Sequence, residues 1–234
     1  MSAQRKKTDP LTRRRPRQVR AHETVAVILE AAWRQLQQQG LAGFNTNRIA
    51  ERAGVSIGTL YGYFPNKQSI LVALARRLLQ ADRQAVADAL EAGAAQDADP
   101  VRAIVRVLFQ RHRQDAGLRR TLLSAYIGAG LAGDDADQVR AQVGHIVSHP
   151  RGPLAGRSLT DAQLFVISRA VLGIARALTE DAGALPASDQ ALEDEAVRLV
   201  HAYLAVAAGG GSPAASASSV ANTASSAVRM AGWP

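Results

Sequence analysis

Asn45-Thr46-Asn47-Arg48-Ile49-Ala50-Glu51-Arg52-Ala53-Gly54-Val55-Ser56-Ile57-Gly58-Thr59-Leu60-Tyr61-Gly62-Tyr63-Phe64-Pro65-Asn66-Lys67 is the stretch that decides the fold. Asn45 offers a side-chain oxygen to the free amides of a first helical turn, which makes it an N-cap. Ile49, Ala50 and Ala53 then recur at helical spacing on one face, and Gly54 supplies the left-handed residue that closes the helix. Val55 plugs the turn, and Ser56 caps a second short helix from Ile57 to about Tyr61. Two helices joined by a short turn containing glycine form a helix-turn-helix.

Outward from this stretch the pattern stays helical. Upstream, Val25, Ile28, Leu29, Ala32 and Leu36 form an apolar stripe over about His22 to Gln39, ended by Gly40. Trp33 beside that stripe, Leu41 and Phe44 read as packing residues of the small domain. Downstream, Asn66 caps a helix of roughly 25 residues, about 37 Å long at 1.5 Å per residue. Ile70, Leu71, Leu74 and Leu78 carry its apolar face. A helix of that length can join a small head to a larger body, with the boundary near residue 80.

The remainder is read as all-α. Asp99-Pro100 is a cap followed by proline at the first helical position. Further helices are expected at about Leu118–Ile127, from Asp134 or Asp135 to Pro150, over Asp161–Glu180 and over Asp189–Ala207. The last two are apolar on more than one face, so each must be covered on two sides. One cover is the chain's own core; a second copy of the chain is the expected other, placing a homodimer interface in residues 161–207.

The full sequence has 234 residues and a net charge of +8, distributed unevenly. Residues 1–20 contribute +7, residues 21–80 +3 and the rest −2. A basic end on a near-neutral body is the electrostatic footprint of a nucleic-acid binder. Residues 1–20, Arg-rich and with Pro10 and Pro16, read as a disordered basic arm able to contact phosphates or enter a minor groove. Residues 209–234, rich in Gly, Ser and Ala, read as a flexible tail. With no cysteine, the chain has no disulfide framework, thiolate metal site or thiol nucleophile. No run is expected to reach the length of a membrane span.

The pattern Ile49-Ala50-x-x-Ala53-Gly54-Val55-Ser56-x-Gly58-Thr59-Leu60-Tyr61-x-Tyr63-Phe64-x-x-Lys67 closely resembles the DNA-binding head of the tetracycline-repressor (TetR) family of bacterial regulators. The resemblance covers about residues 21–80; over residues 81–208 it is one of architecture only. It implies an N-terminal three-helix helix-turn-helix head and a larger helical body that binds an effector and dimerises. The implied DNA-facing set is Thr46, Asn47, Arg48, Ser56, Ile57, Gly58, Thr59, Tyr61, Gly62, Tyr63 and Lys67. Within it, Ile57, Gly58, Thr59 and Tyr61 begin the helix expected in the major groove. Thr46 and Arg48 match backbone-contacting positions, Tyr63 and Lys67 phosphate-contacting ones, and Asn47 can pair with adenine. Tyr61 is open between packing and phosphate contact; Phe64 reads as core. Gly62 departs from the family, which carries a larger side chain there, and this shifts expected base reading towards Asn47, Thr59 and DNA shape.

The implied function is a bacterial, cytoplasmic, nucleoid-associated regulator, a repressor that binds a palindromic operator as a homodimer and is released by a small apolar or amphipathic effector. Phe109, His112, Tyr126, Phe165 and Arg169 are the candidate polar and aromatic lining of the effector pocket, expected among the helices of residues 100–180. An effector-independent architectural DNA-binding protein is the alternative. An enzyme is not expected: no phosphate loop, nucleophile elbow or cofactor fingerprint occurs, and no cofactor, metal or membrane partner is assigned. His145 and His149 stand four apart but lack the Glu of a metalloprotease helix, and Pro150 ends the run.

Overall fold

The computed structural model describes residues 15–95, 99–148, 153, 158–180 and 187–208. Among them the chain forms nine α-helices and no strand: α1 (Arg15–Gln39), α2 (Thr46–Ala53), α3 (Ile57–Tyr63), α4 (Lys67–Ala95), α5 (Pro100–Arg113), α6 (Ala116–Gly128), α7 (Ala132–Ser148), α8 (Asp161–Glu180) and α9 (Asp189–Ala208). The all-α architecture expected from the periodicity is what forms.

The helix ends are built from side chains that satisfy the free backbone groups of each terminus. Asn45 Oδ1 accepts from the amides of Asn47 (2.9 Å) and Arg48 (3.3 Å). Gly54 adopts φ +66°, a left-handed conformation that glycine takes without a Cβ penalty, and so closes α2. Ser56 Oγ accepts from Thr59 N at 3.0 Å to open α3. Asn66 Oδ1 accepts from Ser69 N at 2.8 Å to open α4, and Asp99 with Pro100 opens α5. Thr160 and Gln163 exchange side-chain-to-backbone bonds at the start of α8, a reciprocal capping box.

Several boundaries differ from the sequence reading. α1 begins at Arg15, so residues 15–20, read as part of the disordered arm, are helical. Pro16 sits in the first turn, where its missing N–H costs nothing. Residues 1–14 and 209–234 lie outside the described residues. α4 has 29 residues, about 44 Å, and runs past the expected end. α7 starts at Ala132 rather than at Asp134 or Asp135. α8 is, by length and composition, apolar enough to cross a membrane, contrary to the expectation that no run is. Arg169 and Arg176 lie exposed along it while Ile167, Ala175 and Leu178 face the body core, the pattern of a packed helix in a globular body.

The head core joins Ile28, Ala32 and Leu36 of α1, Ile49 and Ala50 of α2, Leu60 of α3 and Ile70, Leu71 and Leu74 of α4. Leu122, Ala125 and Tyr126 of α6 enter the same cluster, so a body helix completes it. Gln68 at the start of α4 donates to the Ala125 carbonyl at 3.1 Å across this junction. A second core gathers Val101, Val105 and Phe109 of α5 with Ile167 and Leu178 of α8 and Val197, Val200 and Leu204 of α9. The α5–α9 seam is closed by ion pairs, Arg106 to Glu193 at 2.9 Å and Arg102 to Asp194 at 2.5 Å.

Candidate nucleic-acid interface and effector cavity

The surface that could meet DNA follows from how α2 and α3 are tethered. α3 has seven residues and one buried anchor, Leu60, which is 0% exposed. The remaining positions face outward by default. Ser56, Ile57, Gly58, Thr59, Tyr61, Gly62 and Tyr63 are all exposed, beside Asn47 and Arg48 on α2. Thr46 is half-buried, and its hydroxyl hydrogen-bonds with that of Tyr61 at 3.1 Å, tying α2 to α3. That contact gives Tyr61 a positioning partner while leaving its ring face open. Thr59 Oγ1 is engaged with Ser56 Oγ at 2.8 Å, which leaves its methyl as the group free for apolar contact.

Gly62 faces open space: a Cβ built there meets nothing within 4 Å. The same construction at Gly58 meets only Ser56 Oγ, at 3.8 Å. Neither glycine is demanded by packing, so both leave a flat approach surface on the outer side of α3. Lys67 is exposed, donates from Nζ to the Leu41 carbonyl at 3.2 Å and lies 5.5 Å from the centroid of the Phe44 ring. An ammonium has three donors, so the bond to Leu41 leaves two. Phe64 is buried, as the sequence reading had it.

The body holds an apolar cavity of about 140 Å³ bounded by α4, α5, α7, α8 and α9. Val105, Leu108, Val143, Ile146, Val171 and Leu204 supply apolar wall, and His112, Asp82, Arg83 and Gln142 supply polar groups. Of the five residues chosen from the sequence, His112 is on this wall. Phe109 is buried in the body core, and Tyr126 in the head core. Phe165 is 50% exposed, with Arg169 over its ring at 5.5 Å. The cavity also reaches beyond the helices of residues 100–180, into α4 and α9. Asp82 and Gln142 were missed. The available signal for Asp82 was a carboxylate interrupting the apolar i, i+4 run from Leu78 to Val86.

Asp82 is the polar centre of the body. Arg119 approaches it with both terminal nitrogens, at 2.6 and 3.1 Å, and Arg111 Nε donates to the same carboxylate. Burial pushes the Asp82 carboxyl up, but the hydrogen bonds and charges of Arg119 and Arg111 outweigh it and hold the group below the usual carboxylate range. His112 Nδ1–H donates to the Leu108 carbonyl at 2.9 Å. Burial, reinforced by the positive charge of Arg119, lowers the His112 pKa and keeps its ring neutral. An unfolded histidine titrates near 6.5. The unfolded chain therefore binds a proton that folded His112 resists, and the folded state loses stability as pH falls below about 6.5. A His112→Leu variant should show a shallower loss of unfolding free energy between pH 7 and pH 5 than the wild type; equal slopes would show that His112 does not carry this linkage.

Residues 28–74 match the family described as bacterial regulatory proteins, tetR family. The head carries the TetR-family DNA-binding domain. Among curated TetR-like relatives, the HTH-type transcriptional regulator PksA of Bacillus subtilis (strain 168) is 32% identical over 95 residues, 41% of this chain and 44% of that protein. The HTH-type transcriptional regulator EthR of Mycolicibacterium smegmatis is 36% identical over 81 residues, 35% of this chain and 36% of that protein. The chain spans about half or less of the length of the curated relatives it matches. A putative TetR-family transcriptional regulator from Mesorhizobium loti has the same fold, with a TM-score of 0.59 at 18% identity over 80% of this chain and 98% of that one. The multidrug binding protein EbrR in complex with ethidium aligns with a TM-score of 0.55 at 23% identity over 76% of this chain and 98% of that one. The sequence matches fall on the helix-turn-helix head, the solved structures share the fold, and the curated relatives are named as helix-turn-helix transcriptional regulators.

Proposed function

We propose that the protein is a transcriptional repressor that binds a palindromic operator as a homodimer and is released by a small apolar or amphipathic molecule. The observation that carries this reading is the outer side of α3: a short helix held by one buried leucine, with Thr59, Tyr61 and the glycine-flattened surface turned outward. Such a helix fits the major groove, where Asn47 and the Thr59 methyl would contact base edges. Tyr63, Thr46, Arg48 and Lys67 would contact phosphates and set register. Residues 1–14, with Arg13, Arg14 and three further basic side chains, would follow the phosphates beyond the groove.

Dimerisation is supported by apolar side chains left uncovered on the last two helices. Phe165 and Val166 of α8 are each 50% exposed, and Leu199 and Val206 of α9 are 45% and 64% exposed. A second copy laid against them would cover that surface and set two α3 helices one turn of DNA apart, about 34–36 Å. The effector reading rests on the apolar cavity beside His112, and the ethidium complex of EbrR supports a planar aromatic ligand class, cations included, for a body of this fold. A ligand that prefers the dimer geometry with the wrong α3 spacing would weaken operator binding by its differential affinity for the two states.

The test is to select bound sites from random DNA, footprint the protein on them, and then add apolar cations and neutral aromatics. A palindromic footprint relieved by one compound class is the expected result. Uniform protection indifferent to every ligand would instead establish an architectural DNA-binding protein. On the selected operator, Lys67→Ala should weaken binding to all sequences alike and reduce the slope of log affinity against log salt by about 1. An unchanged slope would confine Lys67 to its Leu41 and Phe44 contacts.

A further inference from the structure

A second cavity, of about 230 Å³, lies between α1, α4, α5 and α6 at the junction of head and body. Its walls divide by chemistry. Trp33, Leu74, Leu78 and Leu118 form an apolar side, and Arg77, Arg111 and Arg119 supply guanidinium groups. Glu30 and Asp115 also border it: Glu30 accepts from Arg34 at 2.9 Å and lies 3.9 Å from Arg77, and Asp115 accepts from the neutral Gln37 at 3.4 Å.

The charge balance beneath the cavity is uneven. Arg111 and Arg119 share the single carboxylate of Asp82, so the cluster carries one excess positive charge. Arg119 is 3% exposed, its Nε is buried without a hydrogen-bond partner, and the adjacent His112 is neutral. A buried donor without an acceptor is costly, and an anion brought beside Arg119 Nε would supply one. The Asp82–Arg119 pair is also the partition between the two cavities: Asp82 lines the apolar one and Arg119 lines this one.

We propose that the junction cavity is a second ligand site, for a small organic carboxylate whose apolar body packs against Trp33 and the leucines while its carboxylate meets Arg111 and Arg119. The site goes beyond the effector cavity of the body and does not depend on DNA binding. An occupant would contact α1 of the head together with α5 and α6 of the body, so its binding would reset how the two parts are held.

The chain has two tryptophans, so Trp233→Phe in the full-length protein leaves Trp33 as the single indole reporter. Benzoate is the probe and neutral benzamide its control, in chloride buffer without DNA. Benzoate should change Trp33 emission saturably, and benzamide should not. Arg111→Gln, which keeps the Asp82–Arg119 pair, should weaken benzoate binding about ten-fold or more, the value of a hydrogen bond to a charged group. Val143→Phe, which fills the apolar cavity, should leave benzoate binding unchanged. The proposal is overturned if benzoate leaves Trp33 unaffected, if benzamide binds equally well, if Arg111→Gln has no effect, or if Val143→Phe abolishes the signal. None of these outcomes bears on operator recognition, which the footprint tests separately.

Discussion

Asp82→Ala is expected to lower the unfolding free energy by about 3–5 kcal/mol, because it strands two guanidiniums, one of them fully buried, without a counter-charge. The three side chains come from α4, α5 and α6, so the loss should fall on the joint between those helices. Urea unfolding at neutral pH measures it directly. Replacing all three by apolar residues, Asp82→Leu with Arg111→Met and Arg119→Met, should cost much less than the single change, since no buried charge is left unpaired. If Asp82→Ala costs less than 1 kcal/mol, the cluster contributes little to holding the body together. The pH dependence has a defined sign. The folded pKa of Asp82 lies below its unfolded value of about 3.9. Its stabilisation is therefore complete above that unfolded value and is lost as pH falls through the lower folded one.

Leu60→Ala is the second large effect. Removing a fully buried leucine costs about 2–5 kcal/mol through lost burial and the void left behind. Leu60 is the single buried residue of α3, so the cost is concentrated on the helix proposed to enter DNA. Operator binding should fall by at least two orders of magnitude, while most far-UV helicity is kept because α5 and α7 to α9 lie outside the core that Leu60 joins. An electrophoretic mobility shift beside a circular-dichroism spectrum separates the two, since α5, α8 and α9 are built on the second core. Retained operator binding would mean that the Ser56 cap and the Thr46–Tyr61 bond suffice to hold α3.

The head was legible in the sequence because its signals are local. Asn45, Gly54, Ser56 and Asn66 are caps and stops whose chemistry acts within four residues, and each forms as read. The body's helices were legible for the same reason, through Asp99-Pro100 and through apolar periodicity. The lining of the body cavity was not. Which aromatic faces a cavity depends on how helices distant in sequence cross, and periodicity assigns a residue to a face without naming its neighbour. Phe109 and Tyr126 lie on apolar faces as read, but those faces meet solid core. The start of α1 was missed because Pro16 and a run of arginines resemble a solvated arm, although proline is tolerated in a first turn. The Asp82 cluster joins residues 29 and 37 positions apart, beyond the reach of any local pattern.

The insertion of Leu122, Ala125 and Tyr126 into the head core bears on how this protein can be rebuilt. A chimera that joins this head to another regulator's body at residue 80 would lose those three side chains and leave an apolar hollow against α4. Interchangeable reading heads would instead have to carry α6 with them, so the exchangeable unit is discontinuous along the chain.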